Sequence, residues 1–429
     1  MRLRILWILL FALIAFSCEP EINTPSPVAG DADFSVFVSL GNSLTAGFAN
    51  NELYKSGQMV SYANIIAKQM LHTGGGEFKT PLMRDELGFG GRLRLTTGTN
   101  CLGNQGLGLS TFAETPDPMN FQPIYNEEGP FHNLGVPGAR VEHLLMPGYG
   151  LLNAYFGRFA SSPSASVIDD AMRLSPTFFS LWIGNNDVLG FALSGGTSGS
   201  ITPTEDFRVH YLELLERLTS TATGGVIANI PDITSIPLFN TLPALGLVLV
   251  NPSEVAELNA LWSDVPEANF QLGINGFLVS DASVPGGARN LRNGELVLAT
   301  LPQDSLLCGG WGSYKPIPEN YYLSLQQLNQ INQALDEYNA IIVAFSRQFD
   351  LALVDARQLL REAKTGIHFD GLSFTTEYVV GGVFSLDAVH LSPRGNAIMA
   401  NHFIDAINAR YNSTVPRVSV TQYPGIIFP

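Results

Sequence analysis

"FVSLGNSLTAGFAN", residues 37–50, is the stretch of sequence that decides the fold. An apolar run, Phe34–Leu40, ends in Gly41-Asn42-Ser43, and a helix is expected to follow. A continuous apolar run is typical of a strand that is buried on both faces of a parallel sheet. A lone serine before a helix is most often an N-cap. However, parallel α/β sheets gather their reactive groups beyond the carboxyl ends of their strands, so Ser43 is also a candidate for chemistry.

Similar apolar runs recur along the chain and alternate with helical patterns. Further buried strands are predicted at Phe131–Val136, Thr177–Ile183, 224–231 and Leu351–Asp355. Helices are predicted at Ser61–Leu71, Ser164–Leu174, Thr204–Thr221 (with Thr204 as the N-cap), Ser324–Arg347 and Pro393–Tyr411. Strands that alternate with helices predict a parallel sheet covered by helices on both faces.

Two stretches interrupt this alternation. Residues 72–130 are rich in Gly, Thr and Pro and are predicted to form long loops. Residues 240–320 contain "NGFLVSD" and "NGELVLAT", which are predicted to be short strands of a hairpin. We interpret the two stretches as insertions in one domain, 33–415, which is followed by a C-terminal tail, 416–429. A small second domain at 240–320 is the alternative.

The N-terminus has the pattern of an export signal. Two arginines precede the apolar run Ile5–Phe16, which has the length of a signal-peptide core and is too short to span a bilayer. Small residues stand at positions −3 and −1 relative to Cys18, which resembles a bacterial lipoprotein signal with a lipidated cysteine. The pattern predicts a signal peptide at 1–17, a flexible tether at 18–32, and an outer-membrane lipoprotein of the cell envelope. Ordinary secretion with an unmodified Cys18 is the alternative.

The charge and the cysteine content exclude several classes of function. The net charge is −15, and it becomes −17 if the two arginines of the signal peptide are removed. Nucleic-acid binding is not expected, because the chain is acidic and has no cluster of Lys and Arg. Three cysteines are too few for a disulfide scaffold or a zinc site. Cys101 and Cys308 either pair in an oxidising compartment or remain separate thiols. Neither a metal nor a cofactor is predicted.

Polar residues of catalytic type appear in four blocks. Block I is Gly41-Asn42-Ser43-Leu44, block II is "NLGVPGARV" at 133–141, block III is Gly184-Asn185-Asn186-Asp187, and the last block is Asp387-Ala388-Val389-His390. Each block alone is compatible with an ordinary helix cap, turn or surface loop. Because the first three follow predicted strands and the fourth comes last in the chain, together they predict a single site at the carboxyl edge of the sheet.

The residue types in these blocks are those of a serine hydrolase. Ser43 is the predicted nucleophile, and His390 is the base that removes its proton and later protonates the leaving group. Asp387 is predicted to orient the imidazole and to stabilise its charged form. The backbone N–H groups of Ser43 and Gly138 and the side-chain amide of Asn186 are the predicted oxyanion hole. Each such donor contributes ~2.7–4 kcal/mol to the transition state.

The four blocks resemble those of the GDSL esterase/lipase family, also called SGNH hydrolases, from about residue 34 to 411. This resemblance implies a three-layer α/β/α sandwich with a flavodoxin-like parallel sheet. It also implies a serine esterase or lipase that hydrolyses acyl or acetyl esters through an acyl-enzyme intermediate. The chain departs from the family pattern at Asn42, where the family has Asp. Gly135 is an alternative to Gly138 for the oxyanion glycine.

Several alternatives remain within this family scaffold. A polysaccharide deacetylase predicts an open cleft lined by aromatic residues, whereas a lipase predicts a covered apolar groove. A catalytically inactive surface binding protein predicts the loss of a triad or oxyanion residue, and none is lost here. The expected partners are an ester substrate, from a lipid or an acylated carbohydrate, and a membrane reached through the N-terminal lipid. The sequence leaves the oligomeric state and the acyl-chain length open.

Overall fold

The computed structural model describes residues 26–429. The predicted signal peptide, Cys18 and the first part of the tether lie outside the described residues. The strands are β1 (Phe37–Gly41), β2 (Leu93–Thr99), β3 (Gln105–Thr111), β4 (Asn133–Gly135), β5 (Phe178–Trp182), β6 (Gly224–Ala228), β7 (Leu242–Pro243), β8 (Leu247–Leu249), β9 (Gly273–Asn275), β10 (Leu278–Ser280), β11 (Ala288–Asn290), β12 (Leu296–Val297), β13 (Tyr322–Leu323), β14 (Ala352–Val354), β15 (Ile367–Phe369) and β16 (Leu372–Phe374). The α-helices are α1 (Ser43–Ala46), α2 (Lys55–Met59), α3 (Tyr62–Met70), α4 (Tyr125–Glu128), α5 (Ala154–Phe159), α6 (Val167–Met172), α7 (Asn186–Leu193), α8 (Thr204–Thr219), α9 (Pro237–Asn240), α10 (Pro252–Leu261), α11 (Gln303–Leu307), α12 (Leu325–Gln348), α13 (Ala356–Thr365) and α14 (Pro393–Tyr411).

Five parallel strands form the central sheet in the order β14-β6-β5-β1-β4. Numbered along the chain, this is the 2-1-3-4-5 order of flavodoxin-like folds. The register places Gly41 level with Gly135 on one side and with Trp182 on the other. The carboxyl ends of β4, β1 and β5 therefore lie side by side. The predicted parallel α/β fold is confirmed.

Helices cover both faces of this sheet. On one face α14 packs against α3, β6 and β14, whereas on the other α8 packs between α6 and α12. Ser166 and Ser324 start their helices with capping boxes, which satisfy the first free backbone N–H groups. The predicted N-cap at Thr204 is wrong, because Pro203 occupies that position and Thr204 is the first helical residue. The Thr204 hydroxyl instead donates a hydrogen bond to Glu337 on α12.

The first insertion contains a β-hairpin where loops were predicted. Strands β2 and β3 pair along their whole length, although most of their residues are exposed or half-buried. Backbone pairing, and not burial in the core, therefore holds this hairpin. Its base is attached close to block I, because the Leu93 N–H donates to the Asn50 carbonyl at 2.8 Å.

The second insertion has small apolar clusters of its own, apart from the main core. The "NGFLVSD" and "NGELVLAT" segments both form strands, but the predicted hairpin between them is wrong. Strand β10 pairs with β11, and β12 pairs with β7 and β13. A buried ion group supports the insertion, since Arg289 donates to Glu295 at 2.7 Å and to Asp281 at 2.6 Å.

A disulfide joins Cys101, in the turn of the first insertion's hairpin, to Cys308, which directly follows α11. The two cysteines are 207 positions apart in the sequence. The bond therefore ties the two insertions to each other. Across residues 26–429, no helix has both the length and the apolar character needed to cross a membrane.

Candidate active site

Ser43 is the first residue of α1 and follows directly after the buried strand β1. Asn42 is the N-cap of this short helix, and its Oδ1 accepts a hydrogen bond from the Leu44 N–H at 3.0 Å. The helix lies against β4, where a Cβ on Gly135 would come within 2.2 Å of the Ala46 nitrogen. Gly135 is therefore required for α1, and with it the serine, to sit at the strand end.

The structure brings Ser43, His390 and Asp387 together in one hydrogen-bonded chain. The Ser43 Oγ lies 2.8 Å from the His390 Nε2, and the His390 Nδ1 lies 3.1 Å from the Asp387 Oδ2. The side chains of His390 and Asp387 are only 15% and 7% exposed. This is the relative geometry of a nucleophile, a general base and a group that orients the base.

Four donors surround the Asp387 carboxylate. Its Oδ1 accepts from the backbone N–H groups of Val389 (2.9 Å) and His390 (2.8 Å), and its Oδ2 accepts from the Asn51 N–H (2.8 Å) and faces the imidazole. Burial alone raises the pKa of Asp387, but the nearby His390 and these hydrogen bonds outweigh it. The resulting pKa of Asp387 is far below its usual value, so the carboxylate stays charged.

Asn50 and Asn51 hold the loop that carries Asp387, although neither lies in one of the four blocks. Both have left-handed backbones, with φ of 53° and 65°. The Asn50 N–H donates to the Ser385 hydroxyl at 3.0 Å, and the Asn50 Oδ1 accepts from the Leu386 N–H at 3.0 Å. Asn tolerates this conformation better than most residues. The adjacent pair of asparagines after block I was the only sequence signal for this role.

Two backbone N–H groups, one at the second position after β1 and one at the third position after β4, are available to a ligand. Among the described residues, neither Ser43 nor Gly138 has an acceptor for its N–H. Gly138 is exposed and has a φ of 80°, a conformation that favours glycine. The alternative, Gly135, has its N–H bonded to the Asn133 Oδ1 at 3.1 Å. The free N–H favours Gly138 over Gly135 as the oxyanion glycine.

Asn186 begins helix α7 at the end of β5, and its amide is held in place. Its Nδ2 donates one hydrogen to the Ala139 carbonyl at 2.9 Å, which leaves the second hydrogen for a ligand. The next residue, Asp187, is buried and accepts from the Thr202 hydroxyl (2.8 Å) and the Val141 N–H (3.1 Å). Burial raises the pKa of Asp187 to about 7, although these hydrogen bonds oppose the shift.

Asn42, the departure from the family pattern, pairs with block III. Its Nδ2 donates to the Asn185 Oδ1 at 3.2 Å, in addition to the cap at Leu44. A carboxylate at this position could not donate that bond. The pair therefore links the residues that precede Ser43 and Asn186.

The model of the GDSL-like lipase/acylhydrolase family matches residues 37–403. The chain belongs to this family. The predicted enzyme class, a carboxylic ester hydrolase, is thereby confirmed. No curated protein sequence matches the chain.

Solved structures that match this chain are distant in sequence. A GDSL-like lipase from Parabacteroides merdae is 13% identical, with 89% of this chain and 99% of that chain covered and a TM-score of 0.36. An acetylxylan esterase from Geobacillus stearothermophilus is 12% identical, with 88% and 96% covered and a TM-score of 0.37. An extracellular lipase from Streptomyces rimosus is 11% identical, with 87% and 98% covered and a TM-score of 0.33.

An apolar cavity opens beside the GDSL-family serine. Ser43, Asn186 and His390 are among the residues that line it. The volume of the cavity is about 80 Å³. Its walls are formed by side chains from α13, α14 and the loops around them, among them Leu359, Leu360, Ala363, Ile398 and Met399.

A row of aromatic rings leads away from His390 on the side of the first insertion. The Phe48 ring lies 4.7 Å from the imidazole and 6.2 Å from the Tyr155 ring. Phe89 stacks at 4.8 Å on Tyr155 and at 4.8 Å on Phe121, whose side chain is 54% exposed. Near the site and elsewhere in residues 26–429, no group of His, Cys, Asp or Glu is arranged to hold a metal.

Proposed function

We propose that the protein is a serine carboxylesterase that works through an acyl-enzyme on Ser43. The observation that carries the proposal is the continuous chain from the Ser43 Oγ to the His390 Nε2 (2.8 Å) and from the His390 Nδ1 to Asp387 (3.1 Å). A serine hydroxyl is a weak nucleophile until a base removes its proton, and this geometry supplies the base.

The first half of the reaction transfers the acyl group to the enzyme. The Ser43 Oγ attacks the ester carbon while His390 takes its proton, and the carbonyl oxygen gains the electron pair. That oxygen is stabilised by the N–H groups of Ser43 and Gly138 and by the amide of Asn186. When the carbonyl re-forms, the bond to the alcohol breaks and the alcohol takes the proton from His390.

The second half repeats these steps with water. His390 removes a proton from a water molecule, which attacks the acyl carbon, and the Ser43 oxygen leaves with that proton. The free acid is released. Throughout, the charged Asp387 stabilises the imidazolium and holds the imidazole so that its Nε2 faces Ser43.

The test is hydrolysis of p-nitrophenyl acetate, butyrate and palmitate by purified residues 19–429, which lack the predicted signal peptide and Cys18. Ser43→Ala is measured alongside and is expected to lose at least 10³-fold in kcat, as a serine hydrolase does without its nucleophile. Absence of hydrolysis by the wild type, or equal activity of the two proteins, would contradict the proposal. The first of these results would instead support the inactive binding protein.

A polysaccharide deacetylase is the second candidate, and the aromatic row from Phe48 to Phe121 favours it. The Phe121 side chain is 54% exposed and the other three rings are half-buried, so the row offers apolar contact area of the kind against which the faces of sugar rings pack. Release of acetate from acetylated xylan, at a rate well above that on p-nitrophenyl butyrate, would support this candidate. No release from xylan, together with rapid hydrolysis of the aryl ester, would remove it.

We also propose that the protein is exported and anchored to the cell envelope by lipid on Cys18. The signal-like pattern of residues 1–17 supports this, as does the Cys101–Cys308 disulfide, because such bonds persist in oxidising compartments. Metabolic labelling with a fatty-acid probe is expected to mark the wild type and not Cys18→Ala. Label that persists in the variant would contradict the proposed site.

A further inference from the structure

We infer that the apolar cavity beside Ser43 is the acyl pocket of the enzyme and that it selects a short acyl chain of about four carbons over acetyl. This inference rests on the proposed esterase function. It goes beyond that function because it names the chain length and the residues that set it.

The position of the cavity supports an acyl role. Ser43 attacks the acyl carbon, Asn186 binds the carbonyl oxygen and His390 faces the leaving oxygen, and all three residues border the cavity. These three residues fix the acyl carbon, the carbonyl oxygen and the leaving oxygen of the ester. The alkyl chain of the acyl group is the only remaining substituent. The cavity is the apolar space next to that substituent.

The walls of the cavity suit an alkyl chain and do not suit a charged group. Ala363 and Leu360 of α13 and Ile398 and Met399 of α14 are all buried. Asn42, Ser43, Asn185, Asn186 and His390 are the polar lining residues, apart from the indole of Trp182. The Trp182 Nε1 already donates to the Asn229 carbonyl. A polar chain inside would lose its hydrogen bonds to water without replacement.

The volume limits the length of the chain. An engineered cavity of about 150 Å³ in another protein holds one benzene ring, with six carbons. The present cavity, at about 80 Å³, is roughly half that size. It therefore accommodates about three carbons beyond the carbonyl carbon, which corresponds to a butyryl group.

The apolar walls also set the expected selectivity. Moving one methylene from water into an apolar pocket strengthens binding about fourfold. Butyrate has two more methylenes than acetate, so its kcat/KM is expected to be about 15-fold higher. The octanoyl chain is longer than the pocket, so the kcat/KM for octanoate is not expected to exceed that for butyrate.

The experiment measures kcat/KM for p-nitrophenyl acetate, butyrate and octanoate, each divided by its rate of hydroxide-catalysed hydrolysis. Met399→Ala enlarges the pocket and is expected to raise the octanoate-to-butyrate ratio by about tenfold or more. Met70→Ala is the matched control, because Met70 is equally buried but does not line the cavity. Ala363→Leu fills the pocket and is expected to bring the butyrate-to-acetate ratio close to one. Ratios are used so that a general loss of activity cancels.

The outcomes separate this inference from the esterase proposal. The expected ratios, with Met70→Ala like the wild type, support the acyl pocket. Equal chain-length preference in wild type, Met399→Ala and Met70→Ala overturns the pocket and leaves the esterase proposal intact. A wild-type preference for acetate also overturns it. If the wild type hydrolyses no ester, both proposals fall together.

Discussion

Replacing Asp387 by Asn tests the proposed role of the carboxylate in positioning His390. The amide can sit in two orientations. With its NH₂ group in the place of Oδ1, it would face the N–H groups of Val389 and His390, and both would lose their acceptor. With its NH₂ group in the place of Oδ2, only the Asn51 N–H loses its acceptor. The second orientation is therefore favoured.

In that orientation the amide donates a hydrogen bond to the His390 Nδ1. The imidazole proton is then forced onto Nε2, which can no longer accept the proton of Ser43. A wrong tautomer of this kind lowers kcat by about 10⁴ in a serine protease, or about 5.5 kcal/mol. The orphaned Asn51 N–H lowers the free energy of unfolding by about 1–3 kcal/mol.

The assay is kcat for p-nitrophenyl butyrate, with urea denaturation measured in parallel. Asp232→Asn is the matched control, because Asp232 caps a turn by accepting from Thr234 and Ser235 and does not bond to Ser43 or His390. It is expected to stay within a fewfold of the wild type. A folded Asp387→Asn protein whose kcat lies within tenfold of the control would refute the reasoning.

Four further predictions concern other parts of the site and the fold. Asn186→Ala should lower kcat by about 10²–10³ with little change in KM, because one oxyanion donor is lost; an unchanged kcat would argue against this role. Asn42→Asp should change kcat by less than about tenfold, since the Asn185 amide can turn to donate to the new carboxylate; a larger loss would show that the Asn42 donor is required. Burial raises the pKa of Asp187 to about 7, above the value near 3.9 that the group has in the unfolded chain. The stability that protonated Asp187 contributes is therefore fully present below about pH 4 and is lost as the pH rises through 7. The difference in free energy of unfolding between Asp187→Asn and wild type should therefore increase from pH 5 to pH 8 in urea titrations, and a constant difference would contradict the burial argument. Reduction of the Cys101–Cys308 bond should lower the free energy of unfolding by about 2–5 kcal/mol, and the double Ser variant should not respond to reductant; an equal Tm with and without reductant would contradict this.

The sequence predicted the central sheet well because burial leaves a clear pattern. The runs that became β1, β5 and β6 are continuously apolar, as strands covered on both faces must be. The four blocks could be placed together because parallel strands bring their carboxyl ends to one edge. The observed chain from Ser43 to Asp387 follows from that topology.

Other features left little or no local signal. The β2–β3 hairpin is mostly exposed, so its Thr and Gly residues resemble those of a loop. The partners of β10 and β12 depend on contacts between short strands with no distinctive pattern. Asn50 and Asn51 act through backbone N–H groups in a left-handed conformation, and Asn50 acts also through its Oδ1. Residue type indicates these roles only weakly. The pairing of Cys101 with Cys308 across 207 positions depends on how the two insertions fold.

The distance along the chain between the serine and its base has a consequence for synthesis. Ser43 and His390 are 347 positions apart, and Asn51 and Asp387 are 336 apart. A ribosome completes the nucleophile early and the imidazole almost last. A polypeptide that stalls, or is clipped, before residue 385 therefore carries an inert hydroxyl. On the proposed mechanism, hydrolytic activity arises only after residue 390 has been made, so shorter fragments hydrolyse no ester.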